Sequence, residues 1–141
     1  MRNIKIIVEY DGTKYNGWQT QKNGTGIQEI LTNAIHQVCS DVDKINGAGR
    51  TDAGVHALGQ VANFFTECTI PADKISQAVN VHLPKDIAVK DAIEVKEDFH
   101  SRYSAKGKKY MYIVNNSKTR SALDFFREYH FSYELDYKSM K

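Results

Sequence analysis

An aspartate set among glycines is the first residue in this sequence that could do chemistry. Gly47, Gly49 and Gly54 surround Arg50-Thr51-Asp52, and glycine lets a backbone turn sharply and a ligand come close. Asp52 is expected at a strand end, on a tight turn, shortly after Arg50. If the strand continues through Thr51, those two side chains share a face. A carboxylate fixed beside a guanidinium stays ionised, as a nucleophile or general base requires. A second reading is open: an Asp-Ala-Gly turn whose aspartate bonds its own backbone. The glycine-rich stretch matches neither the phosphate-loop nor the dinucleotide pattern, so no nucleotide cofactor is expected.

Tyr110 sits in Lys108-Lys109-Tyr110-Met111-Tyr112, where basic and aromatic residues share a short stretch. Aromatic side chains on a sheet stack with unpaired bases while flanking lysines neutralise phosphates; equally, tyrosines at strand spacing can line a core. His56 follows the glycine turn and could bond a phosphate or a base, or make a structural hydrogen bond. The acid-free loop over residues 99–105 could contact RNA or serve as a solvated connection. Cys39 and Cys68 stand far apart in sequence, without a Cys-x-x-Cys pair, and the five histidines show no metal-ligand spacing. Two reduced thiols and no metal site are expected.

Net charge is only +2, but the charges are segregated. Residues 99–123 contain no acid and hold Arg102, Lys106, Lys108, Lys109, Lys118 and Arg120, and residues 12–28 are also acid-free. Acids gather at Asp41 and Asp43 and over residues 86–98. Such segregation could form a basic face for a polyanion. With 41% hydrophobic and 26% charged residues, the composition is that of a soluble globular protein. There is no run of the roughly 20 apolar residues that a spanning helix needs, so no membrane partner is expected. The start, which runs straight into a strand pattern, lacks signal-peptide form, and the cytoplasm is the expected location.

These candidates must be positioned by elements whose pattern can be read directly. Residues 3–10 alternate, with Ile4, Ile6, Val8 and Tyr10 on one face, which predicts a strand. Asp11-Gly12 ends it, and a polar loop containing the single Trp18 follows. Thr25 and Gln28 have capping-box spacing, and Ile27, Ile30, Leu31, Ala34, Ile35 and Val38 recur at helical spacing. A short strand is expected near residues 44–49 and a returning strand over 59–66. A second helix is expected to open at Pro71 and Asp73 and to close at Leu83-Pro84. Further strands are expected over 87–95 and 108–115, with residues 125–133 as hairpin partner of the last. The order satisfies an α+β, ferredoxin-like (RRM-like) sandwich: an antiparallel sheet with two helices on one face, plus an added hairpin. Residues 135–141 look like the first turn of another helix capped near Asp136, as though a longer protein continued there.

The run GAGRTDAGVHALGQVANF over residues 47–64 resembles the central motif of the TruA family of tRNA pseudouridine synthases. Three further segments resemble the family in the same order: VEYDGT over 8–13 with Gly17-Trp18-Gln19, residues 25–31, and FHSRYSAKGKKYMY over 99–112. The resemblance covers essentially all of this chain but about the first half of a family member. It therefore implies an amino-terminal catalytic half over 1–134 and the start of a carboxy-terminal half over 135–141. It further implies two ferredoxin-like halves whose sheets join, in a homodimer that binds tRNA across both subunits. The implied reaction converts uridines of the tRNA anticodon arm to pseudouridine without cofactor, metal or energy source, after the target base has left the stack.

By the same resemblance, Asp52 is the essential aspartate, acting as nucleophile or base. Arg50 enters the space left by the flipped base or holds its phosphate, and Tyr110 stacks on the uracil. His56 and Gln60 are candidates for RNA contacts. In the family a basic residue from the carboxy-terminal half pairs with the aspartate, so this chain alone is expected to fold but to show little or no activity. Three rivals stay in view. They are a non-catalytic RNA-binding module, a small-molecule acid–base enzyme using Asp52 and His56, and an assembly domain pairing through an exposed sheet edge.

Overall fold

Alternation makes Arg2–Tyr10 the first strand, β1, and its apolar face is fully buried at Ile4, Ile6, Val8 and Tyr10. After a short 3-10 turn at Gly12–Lys14, the remaining elements of this region are α1 (Ile27–Val38), β2 (Asn46–Gly47), β3 (Ala57–Thr66), α2 (Ala72–Asn80) and β4 (Ile87–Val95). The structure, a computed structural model, describes residues 1–141. The chain divides into two compact units, Met1–Lys106 and Gly107–Lys141. In the first unit the sheet order is β2-β3-β1-β4 with every neighbouring pair antiparallel. Ile27, Leu31, Ala34 and Ile35 of α1 and Ile75 and Val79 of α2 join the core with the apolar face of β1. This is the ferredoxin-like α+β arrangement expected from the element order.

Two local irregularities serve the packing. The register of β1 with β4 shifts between Ile7 and Val8, which inserts one extra residue and lets both Val89 and Ala92 reach the core. The Asn80 side chain, at the end of α2, occupies both main-chain groups of Val89, donating to its carbonyl at 2.9 Å and accepting its N–H at 2.8 Å. On the opposite face, Asn3 and Asn63 are buried polar residues and must be bonded. Asn63 donates to Asn3 at 2.9 Å and accepts from the Ser101 N–H, while Asn3 donates to the carbonyls of Lys96 and Phe99.

The capping box expected at Thr25 and Gln28 does not form: the N-cap is Gly26, with no side-chain bond. The free N–H groups of the first turn are instead taken by the main chain of the preceding loop. Ile27 donates to Gly17 O at 3.0 Å and Gln28 to Trp18 O at 2.9 Å. That leaves the Gln28 side chain to donate to Ile45 O at 2.9 Å, tying the helix to the approach to β2.

The second unit departs from the expected hairpin. Only Val114–Asn115 (β5) and Tyr129–His130 (β6) pair, and they pair in parallel. Residues 116–128 provide the long connection that parallel strands need. Residues 108–113 carry the alternation of a strand, but within this unit only the Ile113 carbonyl joins a ladder, accepting from the Tyr129 N–H at 2.8 Å. Alternation supplies a face, and a strand also needs a neighbour. Asp136 accepts from the Lys138 and Ser139 N–H groups and the Ser139 hydroxyl. This is a capping-type turn at the position the sequence suggested, and the Ser139 bonds hold its carboxyl below the usual carboxylate range.

Candidate active site

Asp52 lies on the connection between β2 and β3, and its loop is held by residues 10–18. The strand does not continue through Thr51: β2 ends at Gly47. The loop is fixed by hydrogen bonds instead. Trp18 N–H donates to Thr51 O at 3.1 Å and Gly54 N–H to Tyr15 O at 3.3 Å. The Tyr10 hydroxyl bonds Thr51 Oγ1 at 2.8 Å. On the other flank, Gln60 Nε2 donates to Gly49 O at 2.7 Å.

Two glycines permit this close approach. A Cβ at Gly12 would overlap the Val55 carbonyl, and one at Gly17 would overlap that of Thr51. Gly17 also has a φ of 86°, where other residues are strained. The buried Trp18 closes the far side, its indole lying where a Cβ on Gly47 would sit. The holding loop is itself rooted at the start of β4. The Tyr15 hydroxyl donates to Asp86 Oδ1 at 2.5 Å, and Asp11 N–H donates to Asp86 O at 2.9 Å. Burial, and then the hydrogen bond to the Asp86 carboxylate, push the Tyr15 phenol well above its usual range, so it acts there as a donor.

The Asp52 carboxylate is exposed, and Val55 N–H donates to the main-chain carbonyl of Asp52 at 3.2 Å. The side chain is not consumed in a turn that bonds its own backbone. Arg50 and Asp52 line one depression of about 260 Å³ with Thr51, Ala53, Asn16, Gln19 and Gln21. No ion pair joins the guanidinium to the carboxylate. A depression of about 280 Å³ along Gln28, Glu29 and Asp43 contains no residue of the 47–64 motif.

The other candidates fall differently. His56 Nδ1 accepts the Gly12 N–H at 2.9 Å and stands 3.2 Å from Asp11 Oδ1. One ring nitrogen cannot accept from Gly12 and donate to Asp11 at once. The Gly12 bond belongs to the neutral ring and the Asp11 ion pair to the protonated one. His56 and Gln60 thus both have bonds within the loop and its holder. Tyr110 belongs to the second unit, where it is 66% exposed. Cys39 is buried, and that burial, followed by the Cys68 contact, pushes its thiol up to about 12. No group of three or more His, Cys, Asp or Glu side chains is gathered to hold a metal ion, and no helix is long and apolar enough to cross a membrane. The carboxamides of Asn16, Gln19 and Gln21 were not singled out from the sequence. Their clustering within NGWQTQ, beside the Gly17-Trp18-Gln19 segment, was the available signal.

The profile of a family described as tRNA pseudouridine synthase matches residues 6–104. The chain belongs to this family. Its tRNA pseudouridine synthase relatives include a protein of Acetivibrio thermocellus named tRNA pseudouridine synthase A, 52% identical over 141 residues, which are 100% of this chain and 58% of the relative. Proteins of the same name from Ruminiclostridium cellulolyticum and Caldicellulosiruptor saccharolyticus are 48% and 51% identical with the same coverage. The chain therefore spans 58% of the length of these curated relatives, matching their amino-terminal part.

Proposed function

We propose that this chain is the catalytic portion of an enzyme that isomerises uridine to pseudouridine in the anticodon arm of tRNA. In this reading residues 1–134 form the amino-terminal half and residues 135–141 open the next. The observation that carries it is the presentation of Asp52: an exposed carboxylate on a loop fixed at Thr51, Gly54 and Gly49. Positioning a reacting group in advance removes much of the entropic part of a barrier. Family membership and the relatives' name supply the reaction class.

The reaction is balanced without an added reagent. The glycosidic carbon–nitrogen bond breaks, uracil turns, and a ring carbon bonds to the sugar. That carbon gives up its proton, and the released ring nitrogen takes one. Asp52 attacks as nucleophile or removes a proton as base, with no cofactor or metal. The base must first leave the stack. Arg50, on the same rim, fills the gap or binds a phosphate with its planar fork. Tyr110 stacks on the uracil, and Lys106, Lys108 and Lys109 neutralise phosphates. The enzyme works as a cytoplasmic homodimer, and this chain alone has little activity because the cleft needs both halves.

The test joins this chain to the carboxy-terminal portion of the Acetivibrio thermocellus relative. Asp52→Asn should lower tritium release from uridine-labelled tRNA by on the order of a thousandfold or more while leaving tRNA affinity intact. Turnover that survives the substitution contradicts the reading. A chimera that binds tRNA and never turns it over favours the non-catalytic RNA-binding module.

A further inference from the structure

We propose that the carboxamides of Asn16 and Gln19 bind the imide edge of the target uracil, the carbonyl–N–H–carbonyl side that pairs in a duplex. This rests on the isomerase reading of the same depression and adds to it the groups that recognise the base. Both residues are exposed and line the depression that holds Arg50 and Asp52, the Asn16 carboxamide lying beside Gly24. Gln21, the third carboxamide there, is already engaged, donating to Asn16 O at 3.4 Å.

The backbone beneath the two amides is fixed. Asn16 N–H donates to Thr25 O at 3.0 Å, Trp18 N–H to Thr51 O at 3.1 Å, and Gln28 N–H to Trp18 O at 2.9 Å. Asn16 and Gln19 therefore face the depression from a segment bonded both to α1 and to the Asp52 loop. Their position is set by the contacts that set Asp52.

The chemistry of the edge matches. Uracil presents acceptor, donor, acceptor, and a carboxamide carries two N–H donors beside a carbonyl acceptor. One amide can bond a ring carbonyl and the ring N–H together, as asparagine and glutamine do with adenine. The second amide then supplies a donor to the other carbonyl. The edge is also symmetric in a way the reaction needs. Turning uracil half a revolution about the line through its imide N–H exchanges the departing ring nitrogen with the attacking ring carbon. It also exchanges the two carbonyls, so the edge shows the same pattern before and after. Amides on that edge hold the base in both orientations while its far side faces Asp52. Cytosine, with an amino group in place of one carbonyl and no ring N–H on that edge, has no such symmetry: in either orientation its amino group faces a carboxamide donor.

The test uses the 141-residue chain, isotopically labelled, with a short oligonucleotide carrying a single uridine among adenosines. A control carries uridine methylated at the imide nitrogen. The side-chain amide resonances of Asn16 and Gln19 should move with the uridine strand, and methylation should weaken binding about tenfold or more. Gln19→Leu should weaken the uridine strand similarly and make methylation harmless. If the main-chain amides of Arg50 and Asp52 move while the two carboxamides stay still, or if both strands bind alike, the inference is wrong and the isomerase reading stands. If no resonance in the depression responds at millimolar oligonucleotide, the inference is overturned, and the isomerase reading is decided by turnover of the chimera.

Discussion

The Asp52 loop and residues 107–113 carry the two most conspicuous chemical groups of the sequence, and the chain treats them in opposite ways. The first is an irregular loop, yet its main chain is bonded at Gly49, Thr51 and Gly54 to residues of its own unit. The second has the alternation of a strand, yet no ladder bond holds it before the Ile113 carbonyl, and Tyr112 is 92% exposed. Order here follows from whether each N–H and carbonyl finds a partner, more than from the regularity of the pattern. One chain can thus hold an irregular loop firmly and leave a segment with strand alternation without partners.

The contrast can be broken at the clamp. Gly17→Ala places a Cβ against the Thr51 carbonyl at a φ of 86° and should cost about 2–3 kcal/mol, read as a lower urea midpoint. A loss below about 0.5 kcal/mol would mean that residues 10–18 do not constrain the loop. Tyr10→Phe removes the bond to Thr51 Oγ1, and a loss of about 1 kcal/mol is expected in the same measurement. On the other side of the comparison, Tyr112→Ser should leave the midpoint within about 0.5 kcal/mol of the parent. A larger loss would show that residues 107–113 are already packed.

Much of this was legible in the sequence, for reasons that differ by region. Ile4, Ile6, Val8 and Tyr10, and the helical spacing from Ile27 to Val38, predict β1 and α1 because one face of each must be buried. β4 over Ile87–Val95 likewise agrees with its expected bounds. The Thr25–Gln28 cap failed because the carbonyls of Gly17 and Trp18 reach the same donors first, and no local pattern announces a partner supplied by a preceding loop. The hairpin over 108–133 failed because alternation does not say which strand lies alongside. Glycines around Asp52 signalled a turn, but the use of Gly12 and Gly17 to admit that turn is a tertiary contact. Arg50 and Asp52 line one depression, but the strand through Thr51 that would put them on a shared face does not form.

Amide hydrogen exchange on the intact 141-residue chain tests the central claim, that the Asp52 loop is held in advance by its own unit. The N–H groups of Gly12, Trp18 and Gly54, which donate to His56, Thr51 and Tyr15, should be protected well above those of residues 108–112. Exchange of these three amides as fast as that of Tyr110 would contradict the account.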